Sequence, residues 1–400
     1  MRVLMVSDVY FPRINGVSTS IQTFRSKLLA EGVEVHLVAP DYGQCAAEDW
    51  ITRVPSRPVP MDPEDRLARW GAMHAAVLAA AGTCDLIHIQ TPFFAHYAGL
   101  KAARKLGLPV LATYHTLFEE YLQHYAPFLP SSLLRAQARA WSRRQCNSLD
   151  ALVVPSQAMG QRLRQYGVDT PLHVLPTGIP LAQFARGDGD AFRARNGIGA
   201  GQPVALFVGR VAHEKNIGFL LQAFQVARQR RPDALLLITG EGPAMGELQK
   251  EVRRLGLESH VRFLGYLDRQ TELPDCYRAA NAFVFASRTE TQGLVLLEAM
   301  AAGLPVVALA EMGTVDILAP RHGALVPPDD PVLFGAALGD FFDHPESWPA
   351  LSAEARSYAQ EWSDSSMAAR LADLYAQLVR ECRRGESWNG YSRHTCKNRT

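Results

Sequence analysis

The strongest constraint on the fold is a repeated alternation of short apolar runs with amphipathic helical stretches. In the first half of the chain, five runs have the length and composition of buried strands: Val3–Ser7, Val35–Ala39, Leu86–Gln90, Val110–Tyr114 and Ala151–Pro155. Stretches with helical periodicity lie beside them, as at Ser20–Ala30 and Asp65–Ala81. Apolar strands that alternate with helical crossovers are typical of a parallel α/β sheet.

The same alternation begins again in the second half. Strands are predicted at Val204–Val208, Ala234–Thr239, Val261–Leu264, Ala282–Ala286 and Pro305–Ala308, and helices at Ile217–Arg230 and Met245–Leu255. Because 400 residues exceed what one hydrophobic core usually serves, we predict two doubly wound domains, 1–180 and 181–363. A last helix over about 364–380 is expected to pack back on the first domain, and 385–400 to form a loose polar tail. Ligands in such sheets bind beyond the carboxyl ends of the strands.

Composition excludes several classes of protein. The formal net charge of +1 argues against a general nucleic-acid binder. The six cysteines form no C-x-x-C pair, so zinc and redox motifs have no support, and scattered thiols suit a reducing compartment. The chain shows neither a secretory signal nor a run of membrane-spanning length. We therefore expect a cytoplasmic protein that works, if at a membrane, on its inner face.

The segment Arg288–Glu298 carries the most chemistry. A strand ends before it and a helix is predicted to begin near Gly293 or Leu294, so Glu290 lies in the loop and Glu298 about one turn into the helix. Free backbone N–H groups at a helix start favour a phosphate, and carboxylates accept hydrogen bonds from sugar hydroxyls. On the residues alone, a helix-capping Glu290 and a solvated Glu298 are equally good interpretations.

A second segment, Gly209–Asn216, follows the first strand of the second domain. It places Arg210 and Lys215 in a loop before a helix, where two cations can neutralise a diphosphate leaving group. Taken alone, a solvated loop containing an Arg–Glu pair explains these residues as well.

Together the two segments resemble the Glu-x7-Glu signature and the Gly-Arg…Glu-Lys-Asn pattern of the retaining family 4 glycosyltransferases. The resemblance runs from about residue 3 to about residue 379 and implies the GT-B fold, in which two facing Rossmann-like domains enclose a deep cleft. It implies that Glu290 contacts hydroxyls of a donor sugar and that Glu298 holds the nucleotide ribose. It also implies that the backbone of Gly293 and Leu294 binds sugar and phosphates.

The resemblance extends to residues elsewhere in the chain. It implies that Arg210 and Lys215 bind the phosphates. It implies that His115, which follows a predicted strand, lies near the donor sugar and the reacting carbon in a positioning or electrostatic role. A lone histidine at such a place is more often structural.

Glycine-containing loops complete the predicted donor site. Gly16 permits close approach of a ligand, Asn15 stands where many family members have a second glycine, and Ser18 is predicted to cap the next helix. The resemblance places the loop at Gly16 against the diphosphate. It places Glu241-Gly242 and Tyr266 near the nucleotide base, although a plain turn explains Glu241-Gly242 equally well.

No metal or other cofactor is predicted. Asp188-Gly189-Asp190 has the form of the Asp-x-Asp metal motif of other glycosyltransferases, but no strand precedes it and a helix cap is the better interpretation. Arg210, Lys215 and the helix dipole are expected to stabilise the leaving diphosphate in place of a metal ion.

The resemblance implies transfer with retention and an α-linked product. With no carboxylate clearly placed as a nucleophile, a front-face route assisted by the departing phosphate fits best. The form of the signature around Thr291-Gln292, and the opening Asp8–Thr19, look like the diacylglycerol glucosyltransferase branch. We therefore expect a nucleoside diphosphate hexose such as UDP-glucose as the donor. The expected acceptor is a hydroxyl of a diacylglycerol-type lipid.

The acceptor side is expected to be basic. Residues 96–165 carry nine basic and three acidic side chains, a local balance of 9 − 3 = +6. Arg135, Arg139 and Arg143 recur every four residues beside Trp141, a pattern that suits both an anionic membrane surface and a solvated helix face. Aromatic residues between Tyr114 and Phe128 suit both an acceptor channel and a core.

Several other functions stay open on the sequence. The nearest alternative is an α-mannosyl- or glucosyltransferase acting on soluble or cell-envelope saccharides. A sugar-nucleotide epimerase of the same fold is a third, which the Arg210/Lys215 loop disfavours. A dinucleotide-dependent oxidoreductase lacks its glycine fingerprint.

Overall fold

The computed structural model describes residues 1–43, 48–59, 62–115 and 131–385, without the side chains of 62–64 and 131–135. The chain divides into two compact units. Unit 1 comprises residues 1–178 and the chain from 364 onward, and unit 2 comprises residues 179–363. The division falls two residues before the predicted boundary at 180/181. Within the described ranges, no helix is both long and apolar enough to cross a bilayer.

Unit 1 is built on a parallel seven-stranded sheet whose central strands are buried along their length. The strands of this sheet are β1 (Arg2–Val6), β2 (Glu34–Pro40), β3 (Ile51–Val54), β6 (Leu86–Ile89), β7 (Val110–Thr113), β8 (Ala151–Val154) and β9 (Leu172–Val174). Two further strands, β4 (Ser56–Val59) and β5 (Asp62–Ala68), form a separate hairpin. The sheet order is β3-β2-β1-β6-β7-β8-β9. The helices before unit 2 are α1 (Gly16–Leu28), α2 (Trp70–Ala81), α3 (Phe94–Leu106), α4 (Ser131–Cys146) and α5 (Gln157–Gln165).

The hairpin corrects one predicted helix. Asp65–Ala81 was expected to be helical throughout, but residues up to Ala68 form β5, and α2 begins only at Trp70. β5 pairs antiparallel with β4, with Ser56 opposite Ala68. Locally the stretch has helical periodicity, but pairing with a strand earlier in the chain determines its conformation. Strands β3, β4 and β9 were not predicted, and neither was β15 (Ala324–Leu325) in unit 2.

Unit 2 repeats the architecture with a six-stranded parallel sheet of order β12-β11-β10-β13-β14-β15. The strands are β10 (Val204–Val208), β11 (Leu235–Thr239), β12 (Val261–Gly265), β13 (Ala282–Phe285), β14 (Val306–Ala308) and β15 (Ala324–Leu325). The helices are α6 (Leu181–Ala185), α7 (Gly189–Arg195), α8 (Ile217–Arg230), α9 (Met245–Arg254), α10 (Glu272–Ala279), α11 (Leu294–Ala301), α12 (Thr314–Leu318), α13 (Pro331–Asp343) and α14 (Trp348–Ala359). The strand order reverses between β10 and β13, which is where a doubly wound sheet opens its binding crevice.

A final helix, α15 (Asp364–Arg384), returns the chain to unit 1. It extends four residues beyond the predicted end at Arg380. Its apolar face joins the core cluster of β1 through Met367, Leu371, Leu374, Tyr375 and Leu378. The Arg370 guanidinium donates to the Val174 carbonyl at 2.9 Å. Beyond Gly385, the segment predicted to be a loose tail lies outside the described residues.

Candidate functional site

Two loops at the switch point of unit 2 hold the predicted phosphate-binding and sugar-binding side chains. One loop follows β10 and carries Arg210 and Lys215, and the other follows β13 and carries Glu290. Two hydrogen bonds tie the loops together: Asn216 Nδ2 donates to the Ala286 carbonyl at 3.1 Å, and Ser287 Oγ donates to the Glu214 carbonyl at 3.1 Å. The loops therefore form one structural unit beyond the carboxyl ends of neighbouring strands.

Lys215 and Glu290 form an ion pair across these loops. The Lys215 ammonium donates to Oε1 of Glu290, and both side chains are mostly buried. Arg210 is exposed at the start of the first loop. The alternative that Glu290 caps the following helix is wrong, because Gly293 occupies the cap position and no side chain caps that helix.

Gly293 has a conformation that the site requires. Its φ is 91°, in the left-handed region, and a Cβ there would meet Thr314 Cγ2 at 3.0 Å. Glycine thus allows α11 to begin directly after the Glu290 loop, with the half-buried Leu294 as its first residue. The first N–H groups of a helix have no acceptor in a preceding turn, and such groups favour an anionic ligand.

Glu298 lies in α11 and is 1% exposed. The Arg269 guanidinium donates to its Oε1, and the Tyr277 hydroxyl donates to its Oε2 at 3.0 Å. Attraction to Glu298 raises the pKa of Arg269, and burial, followed by the charge of Glu298, holds the pKa of Tyr277 well above its usual range. The interpretation of Glu298 as a solvated face residue is therefore wrong.

Sequence reasoning missed Arg269 and Tyr277. Arg269 follows β12 at the carboxyl end of the sheet, and its carbonyl accepts a 2.6 Å hydrogen bond from Gln183 Nε2. The position after a parallel strand was the available signal, since loops at that edge carry ligand-binding residues. Tyr277 lies within a helix and had no comparable signal.

The predicted base-site residues are on two neighbouring loops of unit 2. Glu241 and Tyr266 are exposed, after β11 and β12 respectively. Gly242 has a packing role of its own, because a Cβ there would lie 2.4 Å from the Val211 carbonyl oxygen. The close approach of the Glu241 carbonyl to the Val211 N–H, at 2.9 Å, depends on the same glycine.

Gly16 and His115 belong to unit 1. Gly16 is the first residue of α1, and no described atom lies within 4 Å of a Cβ built on it, so internal packing does not require glycine there. Asn15, not Ser18, caps α1: its side chain accepts from the Ser18 N–H at 2.9 Å, and Ser18 itself is buried. The predicted serine cap is wrong because the helix begins four residues earlier than expected.

His115 lies two residues beyond β7 and is half-buried. Its Nε2 is 3.0 Å from Oε1 of Gln90, the residue directly after β6. Burial lowers the pKa of His115 to about 4, so the imidazole is neutral at neutral pH. Its Thr116 neighbour and the aromatic run up to Phe128 lie outside the described residues.

The predicted helix cap at Asp188 is confirmed. Its side chain accepts from the Ala191 N–H at 2.9 Å and caps α7. The residues that the structure describes contain no group of three or more His, Cys, Asp or Glu placed to hold a metal ion.

Comparison with known proteins identifies the family. The sequence profile "Glycosyltransferase Family 4" matches residues 14–183, and "Glycosyl transferases group 1" matches residues 188–362. The chain is 33% identical to the alpha-monoglucosyldiacylglycerol synthase of Streptococcus pneumoniae over 77% of its own length and 71% of the relative's. It is 30% identical to a GDP-mannose-dependent alpha-mannosyltransferase of Mycobacterium tuberculosis, over 82% and 84% of the two chains.

A solved structure supports the same fold. HepE from Anabaena in complex with UDP-glucose superposes with a TM-score of 0.73 and 18% identity, over 94% of this chain and 100% of the other. The identity of the two protein chains is low, so this likeness concerns the GT-B fold alone. With both halves of the sequence matched by glycosyltransferase profiles, the chain belongs to the family 4 glycosyltransferases.

Proposed function

We propose that this glycosyltransferase moves glucose from UDP-glucose to a hydroxyl of a diacylglycerol-type lipid, with retention and an α-linkage. The observation that carries the donor assignment is the tied pair of loops bearing Lys215 and Glu290, beside the buried Glu298. The similarity to the glucosyldiacylglycerol synthase of Streptococcus supports the lipid acceptor, and the UDP-glucose bound to HepE supports the donor.

The donor site follows from the charges on these loops. Arg269 and Tyr277 orient the Glu298 carboxylate, whose remaining lone pairs are proposed to accept hydrogen bonds from a ribose diol. The helix start at Gly293 faces a diphosphate with N–H donors, and Arg210 and Lys215 supply positive charge for the departing phosphate. This charge is the basis for proposing that transfer needs no metal ion.

The ion pair also bears on mechanism. One oxygen of Glu290 is already engaged by Lys215, which disfavours Glu290 as a free nucleophile. We therefore propose the front-face route, in which the leaving phosphate takes the acceptor proton while Glu290 orients sugar hydroxyls. Catalysis then rests on orientation and on stabilising the leaving group.

The acceptor proposal rests on a surface of unit 1 formed by α3 and α4. Phe93 and Tyr97 are 51% and 44% exposed, and Trp141 Nε1 donates to the Tyr97 hydroxyl at 3.0 Å. Aromatic side chains with a polar edge suit the interface between lipid headgroups and acyl chains. We call these three residues the aromatic surface.

Exposed basic side chains flank the aromatic surface on the same two helices: Lys101, Arg104 and Lys105 on α3, and Arg139, Arg143 and Arg144 on α4. In α4 the buried face contains Ala138, Ser142, Gln145 and Cys146, so the exposed face is the basic one. The side chain of Arg135, the first member of the predicted stripe, lies outside the described residues. Aromatic anchors beside cations favour an anionic membrane surface.

The deciding experiment is a donor-by-acceptor screen with the purified full chain. UDP-glucose, UDP-galactose and GDP-mannose are offered with diacylglycerol in mixed micelles or with soluble saccharides, with and without EDTA. Linkage analysis of an α-glucosyl diacylglycerol, formed equally in EDTA, is the expected result. Transfer of mannose to saccharides alone would contradict the proposal and favour the alternative that the Mycobacterium relative suggests.

Membrane binding has its own test. The double variant Phe93→Ser/Tyr97→Ser is expected to lose flotation with vesicles containing phosphatidylglycerol. The matched control is Val332→Ser/Leu333→Ser, because these residues of unit 2 are 59% and 52% exposed and lie outside the aromatic surface. Equal flotation of both double variants would refute a role for the aromatic surface.

A further inference from the structure

Two polar contacts link β6 to β7 in unit 1, one near the ends of the two strands and one just beyond them. His88 in β6 has its Nε2 2.7 Å from Thr113 Oγ1 in β7. Two residues further along each chain segment, Gln90 Oε1 lies 3.0 Å from His115 Nε2. Side chains two residues apart share one face of a strand, so the second contact continues the first.

Gln90 is a rigid partner for His115. It is 4% exposed, and its backbone N–H donates to the Val6 carbonyl of the neighbouring strand at 2.8 Å. An amide oxygen can only accept a hydrogen bond, so the hydrogen between the two side chains belongs to His115 Nε2. In a neutral imidazole the other nitrogen, Nδ1, then carries the lone pair.

The protonation state supports this assignment. Burial lowers the pKa of His115 to about 4, and burial together with His115 lowers the pKa of His88 to about 3. The charge of a protonated His115 would destabilise a protonated His88, and with these lowered pKa values both rings are neutral at neutral pH. His88 is held in turn by the Tyr375 hydroxyl, 2.6 Å from its Nδ1.

We propose that Gln90 is a positioning residue for the transfer reaction: it holds His115 with Nε2 protonated and leaves Nδ1 to accept a hydrogen bond from the bound sugar donor. The proposal rests on the proposed function for the identity of the ligand, but not for the state of the ring. A ring with the opposite tautomer, or an imidazolium, would present a donor at Nδ1 and could not accept.

The ring state is measured directly by long-range ¹H–¹⁵N NMR of the full chain with ¹⁵N-labelled histidine, with the signal assigned by loss in His115→Asn. The expected spectrum shows a protonated Nε2 and an unprotonated Nδ1. In Gln90→Glu the new carboxylate keeps the Nε2 hydrogen bond and raises the pKa of His115 by about 1–3 units.

The pH dependence of kcat in Gln90 variants then distinguishes a positioning role of Gln90 from a purely structural one. Gln90→Glu is expected to gain an acid limb in its kcat profile at the raised pKa of His115, with recovery at higher pH as the ring loses its proton. Gln90→Leu, which offers no acceptor, is expected to lose about tenfold in kcat without a new acid limb. The matched control is Thr113→Val, which breaks only the neighbouring contact and is expected to leave the His115 signals unchanged.

The outcomes distinguish this proposal from the proposed function. A protonated Nδ1 in the unmodified chain, or a pKa of His115 unchanged in Gln90→Glu, would overturn the positioning role even if transfer is normal. A correct ring state together with no transfer from any nucleotide sugar would instead refute the proposed function. An acid limb absent despite a raised pKa would show that a neutral Nδ1 is not needed.

Discussion

The two units hold their site residues by opposite electrostatic means. In unit 2 the carboxylates Glu290 and Glu298 are each paired with a cation. In unit 1 the candidate residue His115 is held by a neutral amide and its ring is uncharged. Charged partners thus hold the carboxylates proposed to bind the nucleotide sugar, whereas a neutral partner holds the histidine proposed to contact the sugar.

The largest expected difference between the units is their response to acid. The pKa is lowered from its ordinary value for six histidines of unit 1: His36, His74, His88, His96, His115 and His173. In unit 2 the direction is opposite for His344, because its hydrogen bond to Glu346 raises the pKa of the imidazole.

The direction of the stability change with pH depends on whether the folded or the unfolded state binds more protons. A histidine whose folded pKa is lowered stabilises the fold above pH 6.5 and loses that contribution as pH falls toward the folded value. Because the pKa of His88 is about 3, lowering the pH from 6.5 to 5 is expected to reduce the free energy of unfolding of unit 1 by about 2 kcal/mol. Asp8, whose pKa burial raises to about 6, offsets part of this loss below pH 6. Hydrogen exchange at pH 7.5 and pH 5, corrected for intrinsic rates, is expected to show unit 1 losing protection first; earlier loss in unit 2 would contradict the comparison.

Breaking the ion pair at the switch point is expected to have the largest effect on activity. Lys215→Met removes charge that stabilises the leaving group and leaves Glu290 without its partner, so kcat is expected to fall about 10²–10³-fold. The control is Arg254→Met, which breaks an exposed pair with Glu251 and is expected to leave kcat unchanged. A similar kcat for both variants would remove Lys215 from the site.

A smaller effect on activity is expected when Glu298 loses its charged partner. Arg269→Met leaves Glu298 without its charged donor, and we expect the donor KM to rise about 10–100-fold, the value of a hydrogen bond to a charged group. The unmodified enzyme is expected to discriminate against a 2′-deoxyribose donor more strongly than the variant does. Calorimetry with UDP and 2′-deoxy-UDP checks this, and unchanged discrimination would show that Glu298 does not hold the ribose.

The smallest expected effect concerns stability alone. Asp188→Ala removes the cap of α7 and is expected to lower the free energy of unfolding of unit 2 by about 1 kcal/mol. Donor KM and activity in EDTA are expected to be unchanged, because Asp188 is assigned no ligand. Loss of activity that added Mn²⁺ restores would instead support a metal site there.

Much of the fold could be predicted because buried parallel strands are recognisable locally. Val204–Val208 and Ile217–Arg230 were predicted to the residue, since each carries its own apolar pattern. The hairpin at Ser56–Ala68 could not be predicted in the same way, because its pairing joins residues that share no local signal. For the same reason the ion pairs of Glu290 and Glu298 appear only once distant strands lie side by side.

The return of α15 to unit 1 reverses the usual order of folding during synthesis. The whole of unit 2 leaves the ribosome before Asp364, so its sheet can close while the first unit still lacks Leu371, Tyr375 and the rest of that helix. Until then His88 lacks the Tyr375 hydroxyl and the apolar face of β1 stays open to water. Unit 2 can therefore complete its core during synthesis, whereas unit 1 can complete its core only after the last helix has been made.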